Sequence, residues 1–153
     1  MNRHDPLISA LRARVAKASF FRQLLDRDRR LDITGATVEA RALLIASLQD
    51  QHRRRVAIIT PGDAGITDFE TALRLFHHEP QCVSVYPAPS LSPYQDVAPA
   101  LGVAREEIRA LGMLIDGAAD VLVVPTRALF QRLPRADDFR QRILRLTEGE
   151  DLD

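Results

Sequence analysis

Three short apolar runs, VAIIT at 56–60, VSVY at 83–86 and VLVV at 121–124, recur between segments of helical periodicity, and this alternation limits the fold more than any other feature. Each run is continuous in hydrophobicity, the pattern of a strand covered on both faces. Parallel strands need long crossovers, and the intervening segments have helix length. The chain therefore reads as an α/β layer fold with a mostly parallel sheet. A fourth extended run, Leu31 to Thr34, adds a further expected strand ahead of these three.

That first run leads into the stretch LDITGATVEARALLIASL, residues 31–48, which has the order strand, turn at Gly35, long apolar helix. This is the setting of a phosphate-binding loop. Laying the pattern G-x-x-x-x-G-K-[ST] on Gly35 puts Ala40 at the second glycine, Arg41 at the lysine and Ala42 at the hydroxyl residue. Each departure removes one contribution. A Cβ at position 40 obstructs backbone approach to phosphate. Arg41 is a wide planar fork where a compact ammonium belongs. Ala42 has no hydroxyl to offer Mg²⁺. Three readings follow: an ordinary strand-turn-helix unit, a decayed phosphate loop, or a modified loop that still binds nucleotide.

The helices carry their own signals. Asp5-Pro6 starts a helix over 6–17 with Leu7, Leu11, Val15 and Ala18 on one face. A second helix, Ser19 to Asp28, carries Phe20, Phe21, Leu24 and Leu25, with Arg27, Arg29 and Arg30 at its end. The helix from Val38 to Asp50 is apolar on most of its circumference and needs cover on more than one side. Arg53, Arg54 and Arg55 then complement its dipole or, on the alternative reading, contact nucleic acid. Ile66, Phe69, Leu73 and Phe76 form an amphipathic stripe whose start is capped by Asp63 or by a Thr67–Glu70 capping box. His77 and His78 read as a surface pair and a poor chelator, joined by no other cysteine or close carboxylate. Ala104, Ile108, Leu111 and Ile115 line another helix, ended by Gly117. Thr126 is expected to cap a short helix over 127–132, and Asp137 or Asp138 a last one with Phe139, Ile143 and Leu144 inward. Leu44 and Val123 are placed in the core. The proline-rich stretch from Pro87 to Pro99 reads as irregular, with Tyr94 packed on its own domain or stacked on a partner.

Composition narrows function by exclusion. The 153 residues hold 21 basic and 21 acidic side chains, so no general attraction to nucleic acid or membrane follows from charge. Cys82, the single cysteine, can form no internal disulfide and reads as a core or strand residue. Neither a secretory signal nor a membrane span is recognisable, which implies a cytoplasmic protein. No G-x-S-x-G, H-E-x-x-H or Cys-His arrangement appears, and Asp116 and Asp120 are explained by capping and solvation.

The ordered set ITGATVEARALLIASL, VAIITPGD, ETALRLFHHEP, VYPAPSLSPYQDVAP and GAADVLVVPTRALFQRLP resembles the N-terminal region of the bacterial transcription-repair coupling factors (the Mfd family). The similarity is strongest from about Leu31 to the end. That region is similar to the first domain of UvrB, which keeps a working Walker A loop and inserts a tyrosine-rich hairpin. Here Ala40, Arg41 and Ala42 replace the loop residues, and the loop from Ser90 to Ala104 is short with only Tyr94. The resemblance implies a three-layer RecA-like or P-loop-like fold, an incomplete first half of such a domain. It divides the chain into N-terminal helices at 1–30 and a UvrB-like domain at 31–153, ahead of a UvrA-binding domain. It implies a segment without catalysis or cofactor, with Gly35, Ala40, Arg41 and Ala42 as a vestigial loop and ATP and Mg confined to the motor of the full-length family. Its implied partners are UvrA, RNA polymerase and DNA for the whole protein and neighbouring domains for this segment. The rival expectation is a P-loop ATPase with a modified Walker A loop, and a third is a DNA-binding module acting through Arg53 to Arg55.

Overall fold

The structure is a computed structural model and describes residues 5–24, 30–87 and 101–143, apart from the side chain of Arg22. Three parallel strands, β1 (Val56–Thr60), β2 (Val83–Val85) and β3 (Val121–Pro125), form an open sheet in the order β1-β3-β2. Six α-helices accompany them among the described residues: α1 (Pro6–Ala16), α2 (Ser19–Leu24), α3 (Val38–His52), α4 (Ile66–Phe76), α5 (Leu101–Ile115) and α6 (Ala136–Arg142). The crossover β1-α4-β2 passes over the place that β3 fills, and β2-α5-β3 brings the chain back to it. Register pairs Val56 with Val121 and Ile58 with Val123 on one side, and Val83 with Val121 on the other.

The alternation of β3 builds the layers. Val121 and Val123 join Val83, Ala42, Phe69, Ala72 and Leu73 in a core between the sheet and helices α3 and α4. Leu122 and Val124 face the other way, onto Tyr86, Ala110 of α5 and Ala128. Helices thus cover both faces of the sheet, in three layers. Helix α3 is packed by α4 and by α1, which meets the expectation that so apolar a helix needs cover on two sides. Val123 is fully buried; Leu44, expected beside it in the core, is only half-buried.

A transverse pair of backbone bonds ties the strands at their N-terminal ends. Val56 N–H donates to Asp120 O at 2.8 Å, and Asp120 N–H donates to Cys82 O at 2.9 Å. Beside them Gly117, at φ +74°, ends α5 in the left-handed conformation, with Ala118 N–H donating to Met113 O.

Several expectations change. Leu31 to Thr34 is not a strand; it pairs with no other segment among the described residues, so the sheet has three described strands where four are expected. β1 is not buried on both faces: the apolar cluster under α5 is built on Leu122, Val124, Tyr86 and Ala128, with no β1 residue among those described, and Ile59 is 58% exposed. On α1 the packed face is Ile8 and Arg12, while Leu7 and Leu11 are exposed, since Arg12 reaches the end of α4. On α5, Ile108 is exposed and Ala110 takes the inward position. Neither Asp63 nor a Thr67–Glu70 box caps α4: Gly65 precedes it at φ +78° without a side-chain bond. Thr126 caps nothing and instead donates to Thr60 O at 2.8 Å, and the segment Thr126–Phe130 is a 3-10 turn. Asp137 and Asp138 lie inside the first turn of α6, where they face the dipole without capping. Leu25, Arg27, Asp28, Arg29, Tyr94, most of the proline-rich stretch and Leu144 lie outside the described residues.

Candidate functional site

The turn at Gly35 leads into α3 through Thr37, whose extended backbone and side-chain oxygen make it the N-cap. Thr37 Oγ1 accepts from Ala40 N–H at 3.3 Å. Gly35 has φ +73°, so the turn needs glycine for its backbone, although a Cβ there would meet nothing within 4 Å. Glu39 stands in the first turn of α3. Its own backbone N–H and the Thr37 hydroxyl hold its carboxyl below the usual carboxylate range. A carboxylate thus already occupies the amide end of this helix, the place where a phosphate would bind.

The three altered loop positions diverge. Ala40 is exposed. Arg41 lies back along its own helix, with Nε donating to Thr37 O at 3.4 Å and the guanidinium 5.9 Å from the centre of the Phe69 ring. Ala42 is fully buried among Phe69, Leu73 and Val123, so a hydroxyl at that position would face the core and not a ligand. Thr37 and Glu39 are not singled out in the sequence, although a hydroxyl and an acid at a helix start are a local signal that could find them; the Arg41–Phe69 contact, between residues of two helices, carries no local signal.

Arg53, Arg54 and Arg55 sit at the opposite end of α3, roughly 20 Å from the Gly35 turn by helix length. The two predicted patches therefore do not form one site. Nor do the arginines form one patch. Arg53 takes the left-handed C-cap position, φ 49°, and its Nη1 lies 3.4 Å from His78 Nε2. Arg55 Nη2 donates to Gly117 O at 3.4 Å. Arg54 is exposed.

The histidines depart most from expectation. His77 is buried, its ring 4.7 Å from that of His78, and its Nδ1 lies 2.8 Å from Glu79 O. They are not a surface pair, and carboxylates do join them: His78, Glu79 and Asp120 each place one ligand atom within 4.8 Å of the others. Cys82 Sγ donates to Glu79 Oε2 at 3.3 Å in the 3-10 turn Pro80–Cys82, and desolvation first, then that carboxylate, push its thiol up to about 11. His78, Glu79 and Asp120 could hold a divalent cation by donor type. Against this, the Arg53 guanidinium already supplies positive charge at His78 Nε2.

The fold and these sites define an α/β protein with a parallel sheet and helices on both faces. No protein family, curated protein or solved structure matches the chain. No helix among the described residues is long and apolar enough to cross a membrane.

Proposed function

We propose that this segment is a non-catalytic, UvrB-like scaffold domain of a transcription-repair coupling factor, built on an incomplete RecA-like or P-loop-like fold. It acts in transcription-coupled nucleotide excision repair, where it supports UvrA recruitment and autoinhibition and binds no nucleotide of its own. The family reading rests on the ordered segments quoted from the sequence. The observation that carries the absence of nucleotide binding is Glu39 in the first turn of α3, an acid at the amide end of the helix where a phosphate would sit. Buried Ala42 and the Arg41–Phe69 contact support it. UvrA, RNA polymerase and DNA are partners of the whole protein on this reading, and neighbouring domains are the partners of this segment.

A second reading, a nucleotide-binding domain with a modified loop, is favoured by one observation: Gly35 keeps a positive φ in an exposed turn directly before a long helix. Calorimetric titration of the folded chain with Mg-ATP separates the two. The scaffold reading expects no heat up to millimolar nucleotide. Saturable binding that disappears in Arg41→Met overturns it. The coding frame past Asp153 tests the family assignment separately, and is expected to encode a UvrA-binding domain followed by helicase motifs.

A further inference from the structure

A cleft of about 470 Å³ lies between α1 and the C-terminal half of α4, lined in part by Ser9, Arg12, Thr71, Arg74 and His77. Its volume is in the range of small-molecule sites. Arg12 is its most unusual wall. The residue is only 6% exposed, yet no carboxylate pairs with it among the described residues. Its Nη1 donates to Phe76 O at 3.3 Å and its Nη2 to Ser9 Oγ at a long 3.5 Å. Nε has no hydrogen-bond partner among the described residues. A guanidinium stays charged at any physiological pH, and buried charge is stable only when paired.

His77 stands in the same wall, 4% exposed, and its Nε2 is also without a partner among the described residues. Arg74, by contrast, is fully engaged, ion-paired with Glu70 Oε1 and bonded to Pro80 O and Val83 O, so its charge is offset and it needs no ligand. Asp5 lines the rim with the opposite sign, but it is exposed and its Oδ1 is committed to Leu7 N–H at 2.9 Å. The low-dielectric wall around Arg12 weights the buried cation above the solvated rim carboxylate.

We infer that this cleft is an oxyanion site, in which Arg12, assisted by the Ser9 hydroxyl, binds the phosphate or carboxylate group of a small ligand beside the neutral His77 ring. The site is independent of the Gly35 turn and of the scaffold reading. In the present conformation Arg12 Nε and His77 Nε2 are closed off from solvent, so binding turns at least one of these side chains toward the cleft.

The test titrates the full chain with inorganic phosphate, and in parallel with acetate, against sodium chloride at matched ionic strength. Thermal unfolding and amide NMR shifts are followed together. The inference expects saturable amide shifts centred on Ser9, Arg12 and His77, and a melting temperature that rises with anion beyond the chloride control. Arg12→Gln should weaken the affinity by about ten- to a hundredfold, the loss of a charged hydrogen-bond donor. Arg132→Gln, an exposed arginine outside the cleft, should leave it unchanged. Saturation by phosphate alone identifies a tetrahedral anion, and by acetate alone a carboxylate; either upholds the site. Equal melting shifts in wild type and Arg12→Gln, or amide shifts that never saturate, overturn it. Should Arg12→Gln fail to fold, Ser9→Ala, which keeps the helix, is read by the same NMR titration; unchanged binding there, with shifts centred outside α1, also overturns it.

Discussion

β1 and β3 lie side by side with nearly the same composition, VAIIT against VLVVP, yet one is an edge and the other the centre of the sheet. Val124 of β3 is 7% exposed, whereas Ile59 of β1, its register partner on the same face, is 58% exposed. The difference lies wholly in what covers them. Both strands share the α3–α4 layer, but the apolar cluster under α5 is built on β3 and the end of β2, with no described residue of β1. Apolar content therefore says that a segment is a strand and not where in the sheet it lies.

The sharpest way to break this comparison is to place the same charge on both strands. Val123→Asp buries a carboxylate with no partner and should cost more than about 4 kcal/mol, enough to abolish cooperative folding. Ile59→Asp faces solvent and should cost about 1 kcal/mol or less in urea denaturation. Similar losses at both positions would mean that β1 is covered on the side assigned here to solvent.

A smaller effect probes the turn that feeds β3. Gly117→Ala forces a Cβ into the left-handed region and against the Arg55 guanidinium. The expected loss is about 1–2 kcal/mol. The double variant with Arg55→Ala should recover the part due to the clash and leave the backbone part.

The smallest effect concerns His77. Burial holds its imidazole below the usual histidine range; the Glu79 carbonyl opposes this, while His78 and Arg12 add to it. The unfolded chain therefore takes up this proton more readily than the folded one. Stability from His77 is fully present above the ordinary histidine value and is lost as pH falls from about 6.5 toward the lowered folded value. Urea midpoints at pH 7.5 and 5.5 should fall more for wild type than for His77→Gln; equal slopes would contradict the buried neutral ring.

What the sequence disclosed follows the range of the interactions involved. The start of α1 at Asp5-Pro6, the bounds of β1, the stripe on α4 and the terminator Gly117 depend on neighbours a few residues away, and each was legible. Thr126 was misread because its partner, Thr60 O, is 66 residues distant, and a free threonine before a helix looks like a cap. His77 and His78 looked exposed because a pair of polar residues after an amphipathic helix normally is. Their burial comes from packing at the end of α4, where Glu79 turns back on His77 and Arg12 arrives from α1. At the candidate loop, the missing lysine and hydroxyl were legible in Arg41 and Ala42, whereas the contact of Arg41 with Phe69 of another helix was visible only in three dimensions.

The carbonyl of Asp120 receives from Val56 on one side and its N–H gives to Cys82 on the other, so a single residue links the leading ends of all three strands. Loosening it exposes two protected amides at once, Val56 of the edge strand β1 and Asp120 at the entry to the central strand β3. Amide hydrogen exchange at Val56 and Asp120 should then proceed with one common opening free energy, and the sheet behaves as a single cooperative unit instead of peeling strand by strand.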